Sequence, residues 1–214
     1  MIVGHDRVLV DPFLTGNSKA AMTADEVDCD VICLTHGHGD HMGDTVAIAK
    51  RTGATVAAIL ELANYVAKAG AKTVGFNLGG TVRVGKTDIT MVPAFHSSSV
   101  ESGGAEHTVA SPVGMVIDTG KPVYHAGDTC LFGDMRLIGD LYKPEVAMLP
   151  IGGFFTMDPR QAAMAVSMVR PRYVIPMHYG TWPPIEQDPR EFEKLVDKKV
   201  AKVVVLKPGE SMEV

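Results

Sequence analysis

Six consecutive residues, His36-Gly37-His38-Gly39-Asp40-His41, constrain this chain more than any other feature. They put three imidazoles and a carboxylate just beyond the apolar run Val31-Ile32-Cys33-Leu34, which reads as a buried strand. Gly37 and Gly39 free the backbone to turn sharply, so side chains that would alternate outward along a strand can converge on one point. Imidazole nitrogen and carboxylate oxygen suit zinc and its neighbours manganese, iron, cobalt and nickel, whereas magnesium or calcium would call for oxygen alone.

Three more apolar runs each lead to a candidate ligand: His96 after Ile89-Thr90-Met91-Val92, Asp128 after Val123-Tyr124, and His178 after Tyr173-Val174-Ile175-Pro176-Met177. With the first motif this makes five histidines and two aspartates, too many for one tetrahedral ion and enough for two ions sharing a bridging carboxylate.

The order H-x-H-x-D-H, then His, Asp and His resembles the metallo-β-lactamase superfamily of binuclear metallohydrolases, and essentially the whole chain fits that pattern. Asp11-Pro12-Phe13-Leu14-Thr15-Gly16-Asn17, Phe95-His96-Ser97-Ser98, His125-Ala126-Gly127-Asp128-Thr129, Gly152-Gly153-Phe154-Phe155-Thr156-Met157 and Pro176-Met177-His178-Tyr179-Gly180-Thr181 resemble, more narrowly, a branch of bacterial and archaeal metal-dependent hydrolases. The named relatives nearest to that branch are ascorbate 6-phosphate lactonases and, further off, N-acyl phosphatidylethanolamine phospholipase D enzymes. The resemblance implies an α/β fold, a four-layer αββα sandwich with the site at one edge of the paired sheets. It implies that His36, His38 and His96 hold one metal, that Asp40, His41 and His178 hold the other, and that Asp128 bridges them. Two divalent ions are expected, zinc or manganese ahead of iron, cobalt or nickel. Metal-bound hydroxide would be the nucleophile, and Asp40 the group that orients it and takes its proton.

The superfamily handles lactams, lactones, thioesters, phosphodiesters and RNA, so the motifs leave the substrate open. The reading adopted is hydrolysis of a small phosphorylated lactone, ester or phosphodiester. Its rivals are a nuclease of the RNA-processing type and a metal-binding scaffold protein without turnover. His38 stands where the oxygen-reducing di-iron branch carries a glutamate, which favours hydrolysis over redox chemistry.

A length of 214 residues suits one domain spanning 1–214. A net charge of -5 argues against a surface built to grip nucleic acid or anionic membrane, so the partner expected is a small molecule, with a homo-oligomer compatible with the family. Cys29, Cys33 and Cys130 form neither an even disulfide set nor a C-x-x-C pair, which fits a reducing compartment. With no signal-like start and no apolar run of membrane length, cytoplasm is the expectation.

The apolar patterns predict strands at Arg7 to Val10, 31–35, 55–59, 89–93, 113–118, 122–125, 146–151, 173–178 and 203–207, and helices at 45–51, 60–69, 159–169 and 189–198. Relatives usually begin with an additional strand carrying a Gly-His-Ser segment, so the resemblance implies that this N-terminal edge strand is missing and that His5 lies in a hairpin turn. Ser97 to Ser111 reads as a long polar loop beside His96, able to cover the site, with the pair Gly103-Gly104 permitting hinge motion. His107 within it, and the Tyr179 and Thr181 hydroxyls beyond His178, are candidate substrate contacts. Asp11 and His125 read as supports for the ligands. Cys130 reads as packing, and Phe154 and Phe155 as core filling ahead of a pocket wall or a subunit contact.

Overall fold

The computed structural model describes residues 1–214 as two sheets with helices outside each. The first sheet holds β1 (Ile2–Val3), β2 (Arg7–Val10), β3 (Val31–Cys33), β4 (Thr55–Ile59) and β5 (Thr73–Phe76) in that order. β2 to β5 run parallel, and β1 folds back antiparallel on β2. Every residue of β3 and β4 is buried, which is why their sequences are continuously apolar or small rather than alternating.

The second sheet is built from β6 (Thr81–Val84), β7 (Thr87–Pro93), β10 (Val113–Asp118), β11 (Pro122–His125), β12 (Val146–Pro150), β13 (Tyr173–Met177) and β14 (Lys202–Val203). Its spatial order is β14-β13-β12-β11-β10-β7-β6. β7 and β11 both pair antiparallel with β10, so they share one direction, and β12, β13 and β14 continue it in parallel. The chain therefore leaves β7, β11, β12 and β13 at the same edge of the sheet.

Val8, Ile32 and Val56 of the first sheet and Ile89, Met91, Met115 and Ile117 of the second are buried in one common cluster, so the sheets pack face to face. Helices α2 (Thr45–Thr52) and α3 (Leu60–Lys68) cover the first sheet. Helices α4 (Met135–Tyr142), α5 (Pro159–Val169) and α6 (Pro189–Leu195) cover the second, around Tyr124, Leu149 and Phe192. The result is the αββα sandwich. Helix α5 has the bounds expected from its sequence. Asp158 accepts from Gln161 N–H while the Gln161 side chain accepts from Asp158 N–H, Pro159 opens the first turn, and Ala162, Ala165, Val166 and Val169 are buried.

Other elements depart from the sequence reading. The loop expected at 97–111 is largely a hairpin, β8 (Ser99–Ser102) with β9 (Ala105–Thr108). Gly103 and Gly104 both have positive φ, so the glycine pair is a two-residue hairpin turn rather than a hinge. Helix α4 was not among the expected helices; a Cβ on its Gly139 would stand 2.4 Å from the Val169 carbonyl oxygen, so glycine is what lets α4 approach α5. His5 lies in a turn, as anticipated, but the edge of β2 is not bare as expected: Ile2 and Val3 pair with it as a two-residue strand. No helix is long and apolar enough to cross a membrane.

Candidate metal centre

All seven expected ligands meet at one edge of the sandwich. His36 and His38 follow β3, with Asp40 and His41 on a one-turn helix, α1 (Gly39–Met42); His96, Asp128 and His178 follow β7, β11 and β13. The ligand atoms of His36, His38 and His96 lie within 4.8 Å of one another, as do those of Asp40, His41 and His178. Asp128 stands between the two sets: its Oδ2 is 3.2 Å from His178 Nε2, 3.5 Å from His41 Nε2 and 3.6 Å from His96 Nε2. Asp40 Oδ2 lies 3.5 Å from both His41 Nε2 and His178 Nε2.

Four buried atoms at this edge have no hydrogen-bond partner: His41 Nε2, Asp128 Oδ1, and both ring nitrogens of His178. Leaving such groups unpaired costs about 1–3 kcal/mol each. Of these atoms His41 Nε2 and His178 Nε2 each lie within 3.5 Å of both Asp40 and Asp128, which fits divalent ions as the missing partners, with a donor set suited to zinc or manganese.

The ring orientations are set from below by Asp11, which is buried at the end of β2. Its carboxylate accepts from Thr35 N–H (2.8 Å), from the Thr35 hydroxyl (2.6 Å) and from His41 Nδ1–H (2.8 Å). An ionised carboxylate only accepts, so His41 Nδ1 carries a proton and Nε2 is the nitrogen left to face a metal. The Thr35 hydroxyl, having given its hydrogen to Asp11, accepts from His36 Nδ1 at 3.0 Å. His36, a neutral ring, is thereby left with an unprotonated Nε2. One aspartate thus fixes the tautomer of a ligand in each set, directly for His41 and through Thr35 for His36. Asp11 also lies within reach of His36 and His41 as a donor cluster, but it meets the far side of the His41 ring and acts as a support.

The electrostatics agree with this arrangement. Burial pushes His36 down to about 3 and keeps it neutral. Burial works against charge on His41 too, yet Asp11 bonded at Nδ1, with Asp128 and Asp40 each 3.5 Å from Nε2, outweighs it and raises the ring well above its ordinary value, so without a metal Nε2 also holds a proton, which a bound ion would displace. Burial likewise opposes ionisation of Asp128, but His41, His178 and His36 hold it down at about 2; His178 and His41 hold Asp40 well below the usual carboxylate range.

Backbone geometry serves the same end. Asp11 (φ 44°) and His178 (φ 55°) are non-glycine residues in the left-handed region, a cost of about 1–3 kcal/mol each that surrounding contacts must hold in place. Gly127 (φ 61°) precedes Asp128 where a Cβ would meet the Val113 carbonyl oxygen at 2.6 Å. Gly37 lies under the hairpin, where a Cβ would meet the Ser99 carbonyl oxygen at 2.7 Å, and Ser98 Oγ accepts from Gly37 N–H while donating to the Val109 carbonyl.

His125 is buried, and its Nδ1 accepts from Gly127 N–H beside Asp128. The substrate candidates are not drawn into the ligand cluster. Tyr179 packs its ring against the second core cluster, His107 sits exposed on β9 with a bond to the Ser102 carbonyl, and Thr181 is half-buried in the loop beyond His178. Cys130 is exposed rather than packed, and Phe154 and Phe155 are exposed rather than core-filling. Trp182, which sequence reasoning passed over, lies edge-on to His178 with ring centroids 6.2 Å apart.

A family model described as the beta-lactamase superfamily domain matches residues 6–179. The chain is 54% identical over 210 residues to a UPF0173 metal-dependent hydrolase of Methanopyrus kandleri, covering 96% of this chain and 91% of that relative. It is 50% identical over 217 residues to one of Thermococcus kodakarensis, covering 100% and 94%. Among solved structures, a metallo hydrolase from the hyperthermophilic archaeon Ignicoccus hospitalis superposes with a TM-score of 0.86 at 41% identity, over 95% of this chain and 88% of the other. An isothiocyanate hydrolase from Delia radicum gut bacteria shares the fold with a TM-score of 0.76 at 17% identity, over 100% and 94%.

Proposed function

We propose, because this chain belongs to the beta-lactamase superfamily, that it is a metal-dependent hydrolase whose seven converging residues hold two divalent ions, zinc or manganese. The observation that carries this reading is Asp128, with one oxygen within 3.6 Å of histidines from both sets and the other buried without a partner. Two divalent ions in such a site bring the pKa of water toward neutrality and polarise the oxygen of the bond under attack.

The chain's own residues supply the remainder. Asp40 is the more open of the two carboxylates, 27% exposed at its side chain against 3% for Asp128, and stays ionised. It is the group placed to orient the attacking water and take its proton. The reading needs no serine or cysteine nucleophile, and Ser98 is already committed to Gly37 and Val109. The bond cleaved is that of a small lactone, ester or phosphodiester.

Elemental mass spectrometry on protein purified without chelator should find about two ions per chain. Asp128→Ala should lose metal and at least about 100-fold in kcat/KM, since even residues behind a metal ligand cost 10–100-fold, with an unchanged far-ultraviolet circular dichroism spectrum. Wild-type turnover in that variant, or a folded wild type that takes up one ion or none, would refute the proposal.

A further inference from the structure

Six segments carry or touch the metal-binding residues: 11–20, 35–44, 94–112, 126–134, 151–158 and 178–188. Together they contain one lysine or arginine, Lys19, which is exposed. Four of the eight arginines are paired elsewhere, Arg7 with Asp28 and Asp30, Arg83 with Asp88, Arg170 with Asp140 and Arg172 with Glu145. A phosphate on the part of a substrate that does not react needs a guanidinium, an ammonium or a nest of backbone N–H groups.

The rim carries aromatic surface instead. Trp182 stands perpendicular to the His178 ring and half-buried. Phe154 and Phe155, ring centroids 4.7 Å apart, are 72% and 49% exposed. Their loop is pinned against the site at both ends. At Gly152 a Cβ would stand 2.5 Å from the His178 carbonyl oxygen, and Met157 N–H donates to the Thr129 carbonyl beside Asp128. Two phenylalanines held in water next to a catalytic edge are surface kept for contact.

We infer that the substrate is an ester or lactone with an uncharged, apolar body that packs on Trp182 and the Phe154–Phe155 pair. This rests on the hydrolase reading above and departs from the phosphorylated substrate that the resemblance implied. In the reaction the oxygen of water bonds to the acyl carbon, the acyl C–O bond breaks and a water proton passes to the alcohol oxygen. The products are a carboxylic acid and an alcohol, or a single hydroxy acid from a lactone, with no redox change.

Trp182 is the only tryptophan in the chain, so its emission reads ligand arriving at this rim. Zinc-loaded protein is titrated with acetanilide, an amide that turns over slowly, and with the same amide carrying a ring phosphate; kcat/KM is measured for phenyl acetate and for its ring-phosphorylated counterpart. The uncharged member of each pair is expected to be favoured by at least about tenfold, the cost of desolvating an unpaired charged group. Trp182→Leu and Phe154→Ser should raise KM for phenyl acetate severalfold with metal content unchanged. Equal or tighter binding of the phosphorylated amide, silence of Trp182 toward both amides, or an unchanged KM in both variants would overturn the inference. Selective binding of acetanilide without hydrolysis of either ester would overturn the assignment of an ester or lactone, leaving the hydrolase reading to its own test by metal content and Asp128→Ala.

Discussion

Replacing Asp11 with Asn removes one charge and one acceptor from the buried hub beneath the metal centre while keeping its shape. The carboxylate serves three donors, Thr35 N–H, the Thr35 hydroxyl and His41 Nδ1–H, at 2.8, 2.6 and 2.8 Å. Asparagine offers a single oxygen to them. If that oxygen stays with Thr35 N–H, the new NH2 group faces His41 Nδ1 and favours the tautomer with its proton on Nε2, where the metal would bind. A hydrogen bond to a charged group contributes about 1.5–3 kcal/mol, and about 1.4 kcal/mol is a factor of ten. The ion held by Asp40, His41 and His178 should therefore bind about 10–100-fold more weakly, the scale seen for groups behind a metal ligand. Zinc competition against a chromophoric chelator resolves the two affinities, and Trp182 emission reports the weaker step through its neighbour His178. Thr35→Val provides the contrast. It keeps the backbone donor and the His41 bond but strips the acceptor from His36 Nδ1, so it should weaken the set of His36, His38 and His96 and spare the other. A folded Asp11→Asn protein that binds both zinc ions as tightly as wild type would refute the tautomer relay.

His125 supplies a test by pH in metal-free protein. Burial holds its ring down at about 4 against about 6.5 in the unfolded chain. The unfolded state therefore binds the extra proton between those values, and the stabilisation present above pH 6.5 is lost as pH falls toward 4, by about 3 kcal/mol. His125→Asn, which can still accept from Gly127 N–H, should flatten urea-unfolding stability across that window; an unchanged slope would mean that His125 is not held neutral. Gly127→Ala should cost about 3 kcal/mol, from left-handed backbone strain and from a Cβ 2.6 Å from the Val113 carbonyl oxygen. Its metal content should fall with it, since Asp128 is next in the chain, and wild-type stability in urea would count against the close approach.

Much of the site was legible in the residues themselves. The ligand types, their order and their positions at strand ends are local facts: an imidazole binds metal because of its own lone pair, and an apolar run ends where polar residues begin. Helix α5 was readable for the same reason, since Asp158, Pro159 and Gln161 cap it from within four residues. The Gly103-Gly104 turn was equally local, and only its reading as a hinge concealed the hairpin. Helix α4 was hidden because the merit of Gly139 lies in Val169, thirty positions further along a different helix. Phe154 and Phe155 look like core residues until the sheets are assembled and leave them outside.

What no local pattern contained, and only the family resemblance implied, was the meeting of β3 from one sheet with β7, β11 and β13 from the other, and hence the grouping of the seven candidate ligands into two sets with Asp128 between them. Strand direction and sheet order decide that, because they alone bring the ends of four separated segments to one edge. The same holds for Asp11. Its side chain has the chemistry to accept three hydrogen bonds wherever it stands, but packing of β2 against β3 and the one-turn helix α1 gives it Thr35 and His41 as donors. Side-chain chemistry is carried by each residue alone, whereas proton position and ligand geometry depend on neighbours through space, so the first could be read along the chain and the second only in the folded molecule.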